Sequence, residues 1–258
     1  MYEFKDKVVL VTGSSGIGLA AARHFAREGA NVYVAGNDPK ANETARQEAR
    51  DAAIDVAEVD VANPDNVQTW IEKIGQQHQG IDALVNAAAI QTYGDTMTTD
   101  IAHWNKVIAI NLSGCFYTAH FAYPFMKARG GGAIVHVASV QGHANQKNVL
   151  AYATSKGGIH ALVRAQAVDA AQDNIRVNSI SPGSIRTPML ELAARTVAED
   201  PAQLEATIAD FGKVHPIGRV GTVAETSALI AFLCSDKAGF CSGGDYLIDG
   251  ALLASLGI

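Results

Sequence analysis

The chain has 258 residues, 48% of them hydrophobic and 18% charged, which is enough apolar matter for a sizeable core and argues against a disordered chain. A formal net charge of −6 argues against a protein that holds nucleic acid or an anionic membrane by general basicity. Three cysteines (Cys115, Cys234 and Cys241) with no C-x-x-C pair suggest neither a disulfide framework nor a zinc site, and no metal is expected. The N-terminus "MYEFKDKVVLVTG" lacks a leader-like apolar region, and no apolar run is long enough to span a bilayer, so a cytoplasmic location is expected.

Short Val/Ile/Leu runs then alternate with alanine-rich stretches of helical spacing. Strands are expected at 7–12, 31–36, 54–61, 82–87, 132–139, 175–181 and 245–249. Their continuous apolar character is that of strands buried on both faces of a parallel sheet. Helices are expected at 17–28, 41–53 and 64–79, the last with Asn63 as N-cap and Pro64 at the first helical position. Longer ones follow at about 100–129, 150–172 and 222–235. The repeated β-α order predicts one domain over 1–258: a Rossmann-type, doubly wound α/β parallel sheet of about seven strands flanked by helices. Residues 184–221 carry Pro188, Pro201 and Pro216 between two core elements, near the edge where such sheets bind ligands, and are a candidate substrate lid.

Two stretches carry chemistry. The first strand runs into "TGSSGIG", Thr12 to Gly18. Its glycines permit a tight turn and close backbone approach, and a helix N-terminus offers free N–H groups to a pyrophosphate. The second stretch, "AYATSKGG", puts Tyr152 and Lys156 four residues apart, hence on one helix face. Ser139 ends a strand thirteen residues earlier, and Asn111 stands inside a predicted helix, where asparagine is mildly unfavourable.

These stretches, with "DV" at 60–61, "NAAA" at 86–89, "NLSG" at 111–114 and "SPGSIRT" at 181–187 in the same order, make the whole chain resemble the short-chain dehydrogenase/reductase family. The resemblance implies hydride transfer between a secondary alcohol and NAD(P), with Asn111, Ser139, Tyr152 and Lys156 as the catalytic set. Tyr152 would take or give the hydroxyl proton, and Ser139 would hold the substrate oxygen. Lys156 and an oxidised nicotinamide would favour the phenolate, whose ordinary pKa near 10 is too high for a neutral-pH base. Lys156 would also hold the nicotinamide ribose, and Asn111 a relay water. The resemblance assigns the dinucleotide further to Gly13, Ser15, Gly16, Ile17 and Gly18, to Asn37, to Asp60 and Val61, to Asn86 and Ala87, and to Pro182, Gly183, Ile185 and Thr187. Ala89 departs from the family's usual glycine and would set the backbone slightly further from the cofactor.

Relatives that prefer NAD usually carry an acid where this chain has Gly36, and relatives that prefer NADP carry Arg or Lys at Asn37 or Ser15. This chain has neither. Asp38 would repel a 2′-phosphate, so NAD is expected, with NADP not excluded. The loop "VQGHANQKNVLA" is strongly polar, and Gln91, Gln141 and His143 are expected at the substrate beside Ser139 and Tyr152. That points to a sugar or polyol rather than a steroid or acyl chain. Arg186 reads as a lid surface charge. The alternatives are a reductase of 3-oxoacyl thioesters, whose acidic carrier would meet Lys127 and Arg129, and a non-catalytic dinucleotide-binding protein. Relatives usually form tetramers through the helices after the fourth and fifth strands, so a homotetramer with small-molecule substrates is implied.

Overall fold

The computed structural model describes residues 3–49, 53–198 and 200–256. Seven parallel strands form one sheet in the order β3-β2-β1-β4-β5-β6-β7. They are β1 Val8–Thr12, β2 Asn31–Gly36, β3 Ile54–Glu58, β4 Ala83–Asn86, β5 Gly132–Val137, β6 Ile175–Pro182 and β7 Asp245–Ile248. All seven match predicted runs. β3 stops short of residue 61 because the Asp60 side chain accepts the Ala62 N–H at 3.0 Å and closes a turn.

The helices are α1 Gly16–Arg27, α2 Pro39–Glu48, α3 Pro64–His78, α4 Ile101–Ile108, α5 Gly114–Ala128, α6 Leu150–Ala170, α7 Pro188–Val197, α8 Leu204–Lys213 and α9 Val223–Cys234. α2 starts two residues earlier than expected, because Asp38 caps the N–H groups of Lys40 (2.8 Å) and Ala41 (3.0 Å) ahead of Pro39. The end of the predicted helix, at 50–52, lies outside the described residues. The single helix expected over 100–129 is instead α4 and α5 joined by a π-helical turn, Ala109–Ser113. The widened turn holds Asn111, whose side chain is drawn out of the helix toward β4.

Side chains of alternate parity along the strands feed two cores. One lies under α3, α5 and α6 and includes Leu10, Leu84, Ile134 and Val177. The other lies under α1 and α9 and includes Val9, Val85, Val135 and Ile180. The 184–221 segment leaves the end of β6 and is largely helical, in α7 and α8. It is closed at its root by a backbone bridge in which Arg186 N–H donates to Gly221 O at 2.9 Å and Gly221 N–H to Ser184 O at 2.8 Å. Among the described residues, no helix is long and apolar enough to cross a membrane.

Candidate active site

Strand order reverses between β1 and β4, and ligands of such sheets bind outside the strand C-termini at that point. Both chemical stretches arrive there. After Thr12 the chain turns through Gly13 (φ +97°) and Gly16 (φ +53°), conformations that disfavour any side chain. A Cβ on Gly18 would lie 2.2 Å from Gly13 O, so the first turn of α1 sits flush on the strand end. Ser15 is the N-cap but makes no side-chain cap bond, which leaves the leading N–H groups of α1, at Gly16 and Ile17, for another acceptor.

Thr12 and Asn86 stitch the neighbouring strands. Thr12 Oγ1 accepts the N–H groups of Ala87 and Ala88, both at 3.1 Å. Asn86 Oδ1 accepts from Thr118 Oγ1 at 2.8 Å. Its Nδ2 meets His136 Nδ1 at 3.2 Å, and His136 Nε2 meets Gln166 Oε1 at 2.9 Å. Burial holds His136 down to about 4, so it is neutral at physiological pH and serves as a hydrogen-bonding strut. Val61 lies against the position where Gly114 would carry a Cβ, 3.1 Å away.

At the end of β2, a Cβ on Gly36 would fall 2.3 Å from Ser14 Oγ and 2.4 Å from Asn42 Oδ1. The position is therefore closed to the acid found in relatives. Asn42 Nδ2 donates to Gly36 O at 2.9 Å, while its buried Oδ1 has no partner. An acceptor with no donor is costly when buried, and a ribose hydroxyl would satisfy it. Asn37 is exposed beside it, and the Asp38 carboxylate is spent on the α2 N-terminus. The glycine turn, the open α1 N-terminus and this orphan acceptor fit a dinucleotide.

The tetrad gathers at the ends of β4 and β5. Asn111 is fully buried. Its Oδ1 accepts Ile90 N–H at 2.9 Å, and its Nδ2 donates to Ile90 O at 2.9 Å and to Ser155 Oγ at 3.1 Å. Ser155 in turn donates to Tyr152 O at 2.7 Å. Ser155 thus helps build the site although sequence reasoning passed over it; a serine between Thr154 and Lys156 gives no signal that it faces inward. Ser139 Oγ accepts Gln141 N–H at 3.1 Å. Lys156 Nζ lies 5.4 Å from the Tyr152 ring centroid and donates to Val137 O at 2.7 Å.

The pKa pattern differs from the simple expectation that Lys156 depresses Tyr152. Burial pushes the Tyr152 phenol up to about 12, against a smaller downward pull from Ser139. Burial also brings Lys156 down to about 8. The protein alone thus favours a neutral phenol next to a readily deprotonated amine, and extra positive charge is needed to make the phenolate.

The substrate-side residues divide. Gln91 and Gln141 are half-buried, and the Gln141 Oε1 is a second buried acceptor without a partner. The segment holding Gln91 is tied to the polar loop, because Gly94 N–H donates to Asn148 O at 2.8 Å. His143 is turned away, to Asp245 Oδ2 at 2.7 Å. Pro182 ends β6 and Gly183 follows it, its N–H donating to Ile248 O at 3.1 Å. Ile185 is buried, and Thr187 caps α7 by accepting Leu190 N–H at 3.2 Å. Thr187 also touches the phosphate turn: a Cβ on Gly16 would be 3.3 Å from its Cγ2. Arg186 is held by Glu191 (2.9 Å) and Glu205 (2.7 Å), as a lid surface charge would be. Lys127 and Arg129, the candidate carrier contacts, are paired with Asp173 and Asp82.

The family described as enoyl-(acyl carrier protein) reductase matches residues 11–252. Cyclohexanol dehydrogenase of Acinetobacter sp. (strain SE19) is 34% identical over 256 residues, covering 96% of each chain. The ligand-free structure of Thermoplasma acidophilum aldohexose dehydrogenase superposes with a TM-score of 0.92 at 36% identity, over 100% of this chain and 98% of that one. L-Sorbose reductase from Gluconobacter frateurii, solved with NADPH and L-sorbose, gives a TM-score of 0.93 at 30% identity, over 99% and 100% of the two chains.

Proposed function

The chain belongs to the short-chain dehydrogenase/reductase family, oxidoreductases that act on CH–OH groups with NAD(P), and we propose that its own substrate is a sugar or polyol oxidised with NAD. The observation that carries the substrate reading is the buried, unpartnered Gln141 Oε1, two residues from Ser139. Turned toward the cleft by rotation of its own side chain, this acceptor would be paired by a substrate that brings a second hydroxyl and left unpaired by a plain cyclic alcohol. The relatives named above span both kinds, an alicyclic alcohol and two sugars.

A bound nicotinamide would take the hydride from the carbinol carbon. The protein's part is to place and deprotonate the hydroxyl. Ser139 Oγ holds the substrate oxygen, Tyr152 takes its proton, and Lys156, through its ammonium, favours the phenolate once cofactor charge adds to its own. Asn111 fixes the 90–91 backbone and, through Ser155, the first turn of α6, so that Gln91 and Tyr152 keep their places. The single domain, with α7 and α8 as its lid, closes this edge.

NAD preference rests on Asn42 and Asp38. A bare acceptor beside Gly36 suits a ribose hydroxyl, and neither it nor a carboxylate suits a 2′-phosphate. Self-association into a homotetramer is supported by a groove of about 590 Å³ between α5 and α6, lined by Leu112, Phe116, Tyr117, Gly158, Ala161 and Leu162. Sedimentation equilibrium of Phe116→Glu, expected to lose the tetramer, tests that assembly.

The deciding experiment follows nicotinamide reduction with NAD⁺ and NADP⁺ over aldoses, polyols, cyclohexanol and hydroxysteroids, for the wild type and Gln141→Leu. Aldoses or polyols with NAD⁺ are expected to lead, and Gln141→Leu to shift preference toward cyclohexanol. Higher kcat/KM for steroids, or with NADP⁺, overturns the corresponding half of the reading.

A further inference from the structure

Three side chains unused by the chemistry above converge beside it. His143 lies in the loop that follows Ser139, His160 stands in α6 one turn beyond Lys156, and Asp245 opens β7. One ligand atom from each lies within 4.8 Å of the other two. Asp245 Oδ2 is 2.7 Å from His143 Nε2 and 3.6 Å from His160 Nε2. The other carboxylate oxygen is already engaged. Oδ1 accepts from Ser179 Oγ at 2.6 Å and from Ser181 Oγ at 2.9 Å. Two serines of β6 thus fix the plane of the carboxylate and leave its free oxygen facing two imidazole nitrogens.

We propose that His143, His160 and Asp245 bind a divalent transition-metal ion of the zinc type. Two imidazole nitrogens and one carboxylate oxygen are the donors such an ion takes, with a fourth position left for water. Magnesium and calcium, which prefer all-oxygen shells, fit the set poorly. Bonds of about 2.0–2.2 Å place tetrahedral donors roughly 3.3 Å apart, and the 2.7 and 3.6 Å separations bracket that value. The fixed part of the site is His160 and Asp245, whose side chains are 8% and 16% exposed; Gly142 packs so closely on His160 that a Cβ there would meet its Cε1 at 2.5 Å. The adjustable part is His143, 39% exposed. Its ring stacks on His160 with centroids 4.2 Å apart and planes 28° apart, so it must rotate for both ring planes to meet at one ion. His160 Nε2 also exchanges its 3.0 Å contact with Ser181 Oγ for the metal.

An ion there ties three elements together: the loop that carries Gln141, the helix that carries Tyr152 and Lys156, and the edge strand. The site needs only its own three side chains, so the inference stands whichever alcohol the enzyme takes.

The test is Zn²⁺ binding to the chelator-stripped, full-length protein by calorimetry, with Co²⁺ as a visible-absorption probe of tetrahedral N/O coordination. One Zn²⁺ per chain is expected, with affinity at least about tenfold weaker in His143→Ala and in Asp245→Asn and unchanged in His103→Ala, a surface control. His143 is exposed, so its variant should keep the wild-type unfolding temperature in chelator; if Asp245→Asn fails to fold, His143→Ala decides alone. Absence of saturable binding, or binding that survives equally in His143→Ala, overturns the site and leaves the three side chains as a hydrogen-bonded clamp.

Discussion

The glycine turn and the cluster of Asn111, Ser139, Tyr152 and Lys156 share one edge of one sheet and are made of opposite materials. At the turn the groups on offer are main-chain: the N–H groups at the start of α1 and the side-chain-free backbone of Gly13 and Gly16, with Gly18 buried against Gly13 O. At the tetrad they are side chains delivered by a π-turn, a strand end and a helix. A main-chain site is sensitive to added atoms, and a side-chain site to removed ones. Binding and turnover should therefore separate by mutation.

The largest effect is expected from removing one atom. Tyr152→Phe should lower kcat by about 10²–10⁴-fold while dinucleotide affinity, read by fluorescence titration, stays within about twofold. Adding one carbon should do the reverse. Gly18→Ala must part α1 from Gly13 O, now 2.2 Å from the new Cβ, at a cost of about 1–3 kcal/mol in stability. Its dinucleotide Kd should rise about tenfold or more, with kcat at saturation largely retained. Equal losses in kcat and affinity for either variant would break the distinction. The smallest effect sharpens it by showing that the tetrad is held against a stability cost. Lys156 is depressed to about 8 in the fold from an ordinary 10.5, so between those values the unfolded chain binds more protons and folding stability rises with pH. Relative to Lys156→Met, the wild type should gain urea resistance from pH 8 toward pH 10; a constant difference over that window would mean the ammonium is not penalised by burial.

The strands were legible because both faces of a parallel sheet are buried, which turns each strand into an unbroken apolar run. The glycine turn and the cluster of Asn111, Ser139, Tyr152 and Lys156 stood out as short motifs, and the fold brings both to the same sheet edge. What the sequence hid were features set by partners far along the chain. The break at Asn111 follows from its bonds to Ile90, 21 residues away, while local propensity runs on as helix. No helices were expected in 184–221, yet Pro188 and Pro201 each occupy a first-turn position where a missing N–H costs nothing, and so mark helical starts. Asn42 and Gln141 carried no sign that one acceptor of each would be buried bare. His143 and Asp245, 102 residues apart, meet only through the fold.

The contact between Gly16 and Thr187 has an electrostatic consequence. It brings the first turn of α1 and the first turn of α7 together. Each helix start carries roughly half a positive charge, so two like poles are brought close. α1 has no acidic residue in its first turn to offset this, and the one in α7, Glu191, is paired with Arg186. An anion seated between them would turn mutual repulsion into shared attraction, so a bound pyrophosphate would tie the 184–221 segment to the glycine turn.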